Sequence, residues 1–171
     1  MLLPGLKRKS ILTRVRRAVQ STVTTVVPKS PKRVGVIVDV ARAGEIKTIR
    51  ASLKQWIGPE PEYLYYVPYV KKSDLKDAVI IDDTTIGWRG VIKNSEAKTW
   101  AAQPYDLLIT LTDRSPVAIQ LLEAVSQAKF KVALDGSDSQ VAQLTLKVSA
   151  KDISTIVTEI QKYLGILAKT A

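Results

Sequence analysis

The run "RVGVIVDV", residues 33 to 40, limits the possible folds more than any other stretch of the chain. It is β-branched at Val34, Val36, Ile37, Val38 and Val40, with no alternation of polar residues until Asp39. A strand that is apolar on both faces needs cover on both, which a parallel sheet between two helical layers provides. Proline-rich "PKSPKR" stops whatever precedes it, and "ARAG" turns the chain after it.

The pattern that follows alternates strands with helices. Ile46, Ile49, Leu53 and Ile57, with Trp56, predict a helix from about Gly44 to Ile57, closed by Gly58-Pro59. "EYLYYVPYV" (62–70) reads as a second strand near an edge, because Pro68 cannot donate to a ladder. Between Lys71 and Tyr105 only "AVIID" (78–82) has strand character, and Trp88, Gly90 and Trp100 suggest a loop-rich excursion. "YDLLITLT" (105–112) is a further strand, with Ser115 as N-cap and Pro116 as first residue of a helix to about Ala128. "FKVAL" (130–134) and "AQLTLKV" (142–148) complete the strands. Ser149 and Asp152 resemble a capping box before a last helix, about 151–168. The expected fold is α/β: a mainly parallel sheet flanked by helices, three-layered and Rossmann-like. The dinucleotide fingerprint is missing, since "DVARAG" has a single glycine and no phosphate-loop motif occurs.

Ahead of this domain, charge rather than hydrophobicity is the signal. Residues 1–38 hold nine basic residues (Lys7, Arg8, Lys9, Arg14, Arg16, Arg17, Lys29, Lys32, Arg33) and no acid, leaving 17 of the 26 Lys and Arg against all 16 acids in the remainder. Leu6, Ile11, Leu12, Val15, Val19, Val23 and Val26 recur at helical spacing, predicting a basic amphipathic helix over about 6–26. The expected organisation is therefore a helix and proline-marked linker over 1–32, followed by one α/β domain over 33–171. An acid-free basic helix points to a polyanion: RNA or the ribosome, contacted through the nine cations. An anionic membrane surface could use the same charges, although Trp and Phe anchors are missing from the helix. The apolar stripe could also dock on the domain, a second copy of the chain or a protein partner.

The residues missing from the chain exclude much chemistry. Without cysteine or histidine it cannot build a thiolate or imidazole metal site, a disulfide or a Ser-His-Asp triad. Absence of cysteine fits a reducing compartment. No apolar run is long enough to span a bilayer, and basic residues interrupt every stretch that could form the apolar core of a secretory signal. An acid-free, Arg-bearing start is also the composition of an organellar presequence. Carboxylates remain: Asp39, Asp113 and Asp135 each follow a predicted strand, where a parallel sheet binds its ligands, and three converging carboxylates could hold magnesium for phosphoryl transfer. "VGVIVDVA" resembles the opening strand of NYN/PIN-like nucleases, which place an aspartate there. Aspartates at strand ends also cap turns, and "LDGSD" is ordinary turn chemistry. In "YLYYVPYVKK", Tyr63, Tyr65, Tyr66 and Tyr69 beside Lys71 and Lys72 could stack single-stranded nucleic acid, or could be core.

"MLLPGLKRKSILTRV", "RVGVIVD", "PYDLLITL", "SQAKFKVAL" and "IQKYLGILAK" together resemble an uncharacterised family of small proteins of Bacteroidota. Its members share a basic start, an "FDLLI" strand, an "AKFKVG" strand and a closing "KYL-IL" helix. Ala133 stands here where the family usually has glycine, and Tyr105 where phenylalanine is common. The resemblance implies a cytoplasmic α/β domain and argues against a presequence; it implies no activity and no site residues. The reading favoured by the residues is a non-enzymatic RNA-binding or ribosome-associated protein without a cofactor.

Overall fold

A computed structural model describes residues 3–21, 25–68, 75 and 78–170. Six strands form one sheet in the order β3-β2-β1-β4-β5-β6, every neighbouring pair parallel. They are β1 (Val34–Asp39), β2 (Glu62–Tyr66), β3 (Val79–Ile81), β4 (Leu107–Leu111), β5 (Lys131–Leu134) and β6 (Leu144–Leu146). The helices are α1 (Leu3–Gln20), α2 (Ile46–Ile57), α3 (Ser95–Ala101), α4 (Val117–Val125) and α5 (Ile153–Thr170). This is the expected α/β architecture, a parallel sheet between helices preceded by an N-terminal helix.

The apolar run in β1 behaves as its composition requires, with all six residues buried. Val34, Val36 and Val38 face one core with Ile49 and Leu53 of α2 and Ile153, Ile156, Val157, Ile160 and Leu164 of α5. Ile37 faces the other core, with α3, α4 and α1. Gly35 is needed on that second face, because a Cβ there would lie 2.8 Å from the Tyr105 ring, which packs against Trp100 at a centroid distance of 5.2 Å.

Local departures from the predicted elements have local causes. α1 spans Leu3–Gln20 rather than reaching Val26, whose amide bonds instead to the Lys129 carbonyl at 3.2 Å; Val23 of the predicted stripe lies outside the described residues. β2 stops at Tyr66, so Pro68 lies outside the ladder and the strand sits one place in from the edge strand β3. Ser115 does not cap α4, since its hydroxyl donates to the Ser137 carbonyl and Pro116 occupies the cap position. Asp152, not Ser149, caps α5: its carboxylate accepts the Thr155 amide at 3.2 Å. α3 was not visible in the sequence pattern; Asn94 caps it by accepting the amides of Glu96 and Ala97 at 2.9 and 3.1 Å.

α1 is part of the second helical layer. Ile11 and Val15, 2% and 3% exposed, enter the core formed by Ile37, Leu64, Ile119 and Leu122, with Ala18 and Val19 packed at its margin. The helix runs along α4 and the 3₁₀ turn Trp88–Gly90. Truncating a buried isoleucine typically costs about 2–5 kcal/mol. Ile11→Ala should therefore lower the stability of the whole domain by about that much in urea, read by tryptophan fluorescence. An unchanged midpoint would show that the helix docks without contributing to the core.

Candidate functional site

Two regions collect polar side chains. The first is at the carboxyl ends of β1, β2 and β4, where the sheet order reverses between β1 and β4, the usual ligand position in such sheets. Asp39, fully buried, accepts two bonds from Arg114, Nε to Oδ2 at 2.7 Å and Nη2 to Oδ1 at 3.0 Å. Thr112 adds its hydroxyl to Oδ2 at 2.8 Å and the Ala41 amide approaches Oδ1 at 3.3 Å. The Arg114 guanidinium lies 5.8 Å from the Tyr66 ring centroid, and the Tyr66 hydroxyl donates to Asp83 at 2.6 Å. Burial, with Asp83 beside it, pushes the Tyr66 phenol above its ordinary range.

The three aspartates at strand ends do not converge. Asp39 has both oxygens on Arg114, Asp113 pairs with Arg42 at 2.9 Å, and Asp135 is exposed in the turn after β5. Among the described residues no three acidic side chains are placed to share a metal ion. The loops after β4 and β5 also close on one another: a Cβ on Gly136 would lie 2.6 Å from the Asp113 carbonyl oxygen. The tyrosines of β2 are core residues as well. Tyr63, Tyr65 and Tyr66 are 1–3% exposed, with Tyr63 and Tyr65 stacked at 5.9 Å. Tyr69, Lys71 and Lys72 lie outside the described residues.

The second region is an open groove of about 1030 Å³ between α1, the C-terminal end of α4 and the segment before β6. Along one wall Ser10, Arg14, Arg17 and Ser21 follow at steps of four, three and four, one flank of the helix. Facing them are Ser126, Gln127, Lys129, Lys131, Gln140 and Gln143, with Arg89 contributed by the 3₁₀ turn. Among the described residues five cations line the groove and no carboxylate does. Arg14 donates to the Gly90 carbonyl, which leaves its charge unneutralised. Lys129 shares its charge with Asp106 at 3.2 Å. Lys131 caps the end of α4, donating from Nζ to the carbonyls of Glu123 and Ala124 at 2.8 and 3.5 Å.

Docking of α1 divides the nine predicted contact residues. Arg14 and Arg17 enter the groove, whereas Arg8, Lys9, Arg16, Lys29 and Lys32 are exposed elsewhere and Lys7 is half-buried. Arg33 is committed to Glu62, at 3.1 Å, and that carboxylate also accepts the Tyr105 hydroxyl at 3.0 Å. Arg89, Lys129 and Lys131 were not singled out from the sequence. The five groove cations come from three segments far apart along the chain, and only the docked helix makes them neighbours.

Beneath the groove lies Glu123, 2% exposed, its carboxylate bonded by the Ser139 hydroxyl. Burial pushes its carboxyl up to about 7, against opposing effects of Ser139 and Lys131. Burial also lowers the Lys131 ammonium, with Glu123 pulling the other way.

Two predictions follow from these buried charges. Arg114→Met strands the Asp39 carboxylate and should cost about 3–5 kcal/mol in urea unfolding, with part recovered in the Asp39→Asn/Arg114→Met double variant. For Glu123 the folded pKa lies above its ordinary value, so near pH 6 the folded protein holds a proton that the unfolded chain has released. This contribution to stability is complete near pH 4 and lost as the pH rises through about 7. Glu123→Gln should match the wild type at pH 5 and exceed it by about 2–3 kcal/mol at pH 8. A constant difference across that range would contradict the assignment.

No curated protein and no solved structure shows significant similarity to the chain. Among the described residues no helix is long and apolar enough to cross a membrane. A family model described as "Family of unknown function (DUF6913)" matches residues 7–167, from the basic helix to the last turns of α5, and the chain belongs to that family.

Proposed function

We propose that the protein is a non-enzymatic RNA-binding or ribosome-associated protein that holds the phosphate backbone in the groove between α1 and α4. The observation that carries this reading is a groove of about 1030 Å³ whose lining, among the described residues, has five cations and no carboxylate. The remaining lining groups suit the same ligand, because serine, threonine and glutamine side chains and arginine forks are the usual donors to phosphate and sugar oxygens. Charge of one sign between low-dielectric walls concentrates the potential in the groove.

The alternatives draw on groups that are already engaged. A membrane would need the apolar stripe of α1, whose central residues Ile11 and Val15 lie in the core. Metal-dependent phosphoryl transfer would need the Asp39 oxygens that Arg114 holds. The absence of cysteine and the resemblance of the sequence motifs support a place in the cytoplasm of a member of the Bacteroidota.

Deleting α1 would not test the proposal, because it would uncover the core that Ile11 and Val15 close. Substitution of exposed lining residues does. Binding of a fluorescein-labelled 20-nucleotide RNA, followed by anisotropy across salt concentrations, should fall linearly in logarithmic form, with a slope of about 0.7 per phosphate contact. Arg17→Ala/Arg89→Ala should weaken binding more than tenfold at low salt and reduce the slope by about 1.4. Wild-type affinity and slope in that variant would refute the groove as the site.

A further inference from the structure

The 3₁₀ turn at the end of the groove presents an aromatic ring that the fold does not use. Trp88 is 49% exposed, while Trp100 is 4% exposed in the core. Val91 in the same loop is 56% exposed and Leu6, one helical turn before Ser10, is 51% exposed. An indole so exposed on a small domain, next in the chain to Arg89 of the groove lining, lacks a packing explanation.

The loop that carries Trp88 is held in place. The Gly87 amide bonds to the Val91 carbonyl at 2.7 Å, and Ile86 bridges Ile92 in antiparallel fashion. Arg89 adopts a left-handed conformation (φ 58°), which an L-residue with a long side chain takes at a cost. Its amide donates to the Ser10 hydroxyl of α1 at 3.0 Å. Gly90 (φ 74°) lies against Arg14, where a Cβ would come within 2.7 Å of that side chain. α1 therefore clamps the turn from below, and Trp88 precedes the residue that enters the groove.

Two cations of the same loop, both after Trp88 in sequence, lie close to the turn. Arg89 follows it and lines the groove, and the Lys93 side chain lies over Gly87, within 2.9 Å of where a Cβ would stand. Aromatic faces beside a phosphate-binding groove are the recurring design for single strands, whose unpaired bases can leave the stack and lie on a side chain. A duplex keeps its bases stacked on one another and offers the ring nothing comparable.

We infer that the groove takes a single strand of RNA rather than a duplex, with Trp88 as the platform on which one base stacks while Arg89, Arg17 and Arg14 hold the adjoining phosphates. This rests on the RNA-binding reading above and names the class of RNA.

The test uses full-length protein with three probes: a 12-nucleotide single-stranded oligoadenylate, a 12-base-pair RNA duplex, and inorganic polyphosphate, which has charge but no bases. The single strand should bind best and quench tryptophan fluorescence. Trp88→Ala should weaken its binding about tenfold and abolish the quench, leaving duplex and polyphosphate binding unchanged. Trp88→Phe, which keeps a stacking face, should retain most of the affinity. Equal binding of the single strand by Trp88→Ala and wild type, or duplex binding as tight as single-strand binding, would overturn the inference while leaving the groove reading intact. Failure of the wild type to bind any RNA, or binding of polyphosphate alone, would overturn both.

Discussion

The burial of Ile11 and Val15 against the sheet's second face is the contact on which the rest of the site depends. A basic helix of this length is a poor structure alone, because its six cations repel and no acidic residue offsets them within residues 1–38. Two β-branched side chains entering a preformed core supply what the charges do not. Once they are seated, helical geometry determines the direction of the rest: Arg14 and Arg17 turn toward α4, and Arg16 stays in solvent. Packing thereby converts a uniform charge run into one flank with a groove and one without.

The carboxyl ends of the strands, the usual ligand position, are closed in this fold, and the groove lies elsewhere. Parallel sheets of this order bind ligands where the connections diverge, between β1 and β4. Here that crevice is occupied by the chain's own groups, the Arg114 guanidinium over Tyr66 and the close approach of Gly136 to Asp113. A buried carboxylate needs a partner, and Arg114 supplies a planar fork that satisfies both Asp39 oxygens at once. The result is a lock between β1 and the loop after β4. Asp39 ends its strand as part of that lock, with no free oxygen to offer a metal.

The fold was largely legible because hydrophobic runs are a local signal. β1, β4 and β5 are mostly apolar and were readable within one or two residues, as was the apolar face of α5. α3 was not, because its seven residues span too few turns to establish a period. The groove was half legible. Net charge pointed to α1, but which of its cations converge depends on docking, and Lys129, Lys131 and Arg89 carry no signal apart from it. The β2 tyrosines were ambiguous for a different reason: interleaved aromatics look the same whether they face solvent or a second layer, and only the helices covering both faces decide. Trp88 was visible as a residue and not as a surface, since exposure is a property of the assembled loop.

The groove's charge also has a structural consequence that limits how the site can be built. Lys131 caps the α4 carbonyls from the groove floor, and Glu123 sits just below it. An ammonium with its counter-charge inside the protein contributes less outward field than one without, so the long-range attraction for a polyanion falls mainly on Arg14, Arg17 and Arg89. Two of these hold the clamp between α1 and the Trp88 loop without a carboxylate: the Arg14 guanidinium donates to the Gly90 carbonyl, and the Arg89 backbone amide donates to the Ser10 hydroxyl. A guanidinium bonded to a carbonyl is positioned and keeps its charge, whereas one bonded to a carboxylate is positioned and neutralised, as Arg33 is by Glu62. Among the described residues arginine therefore serves the fold at the strand ends and at Arg33, and leaves its charge available for a ligand along α1 and its clamped turn.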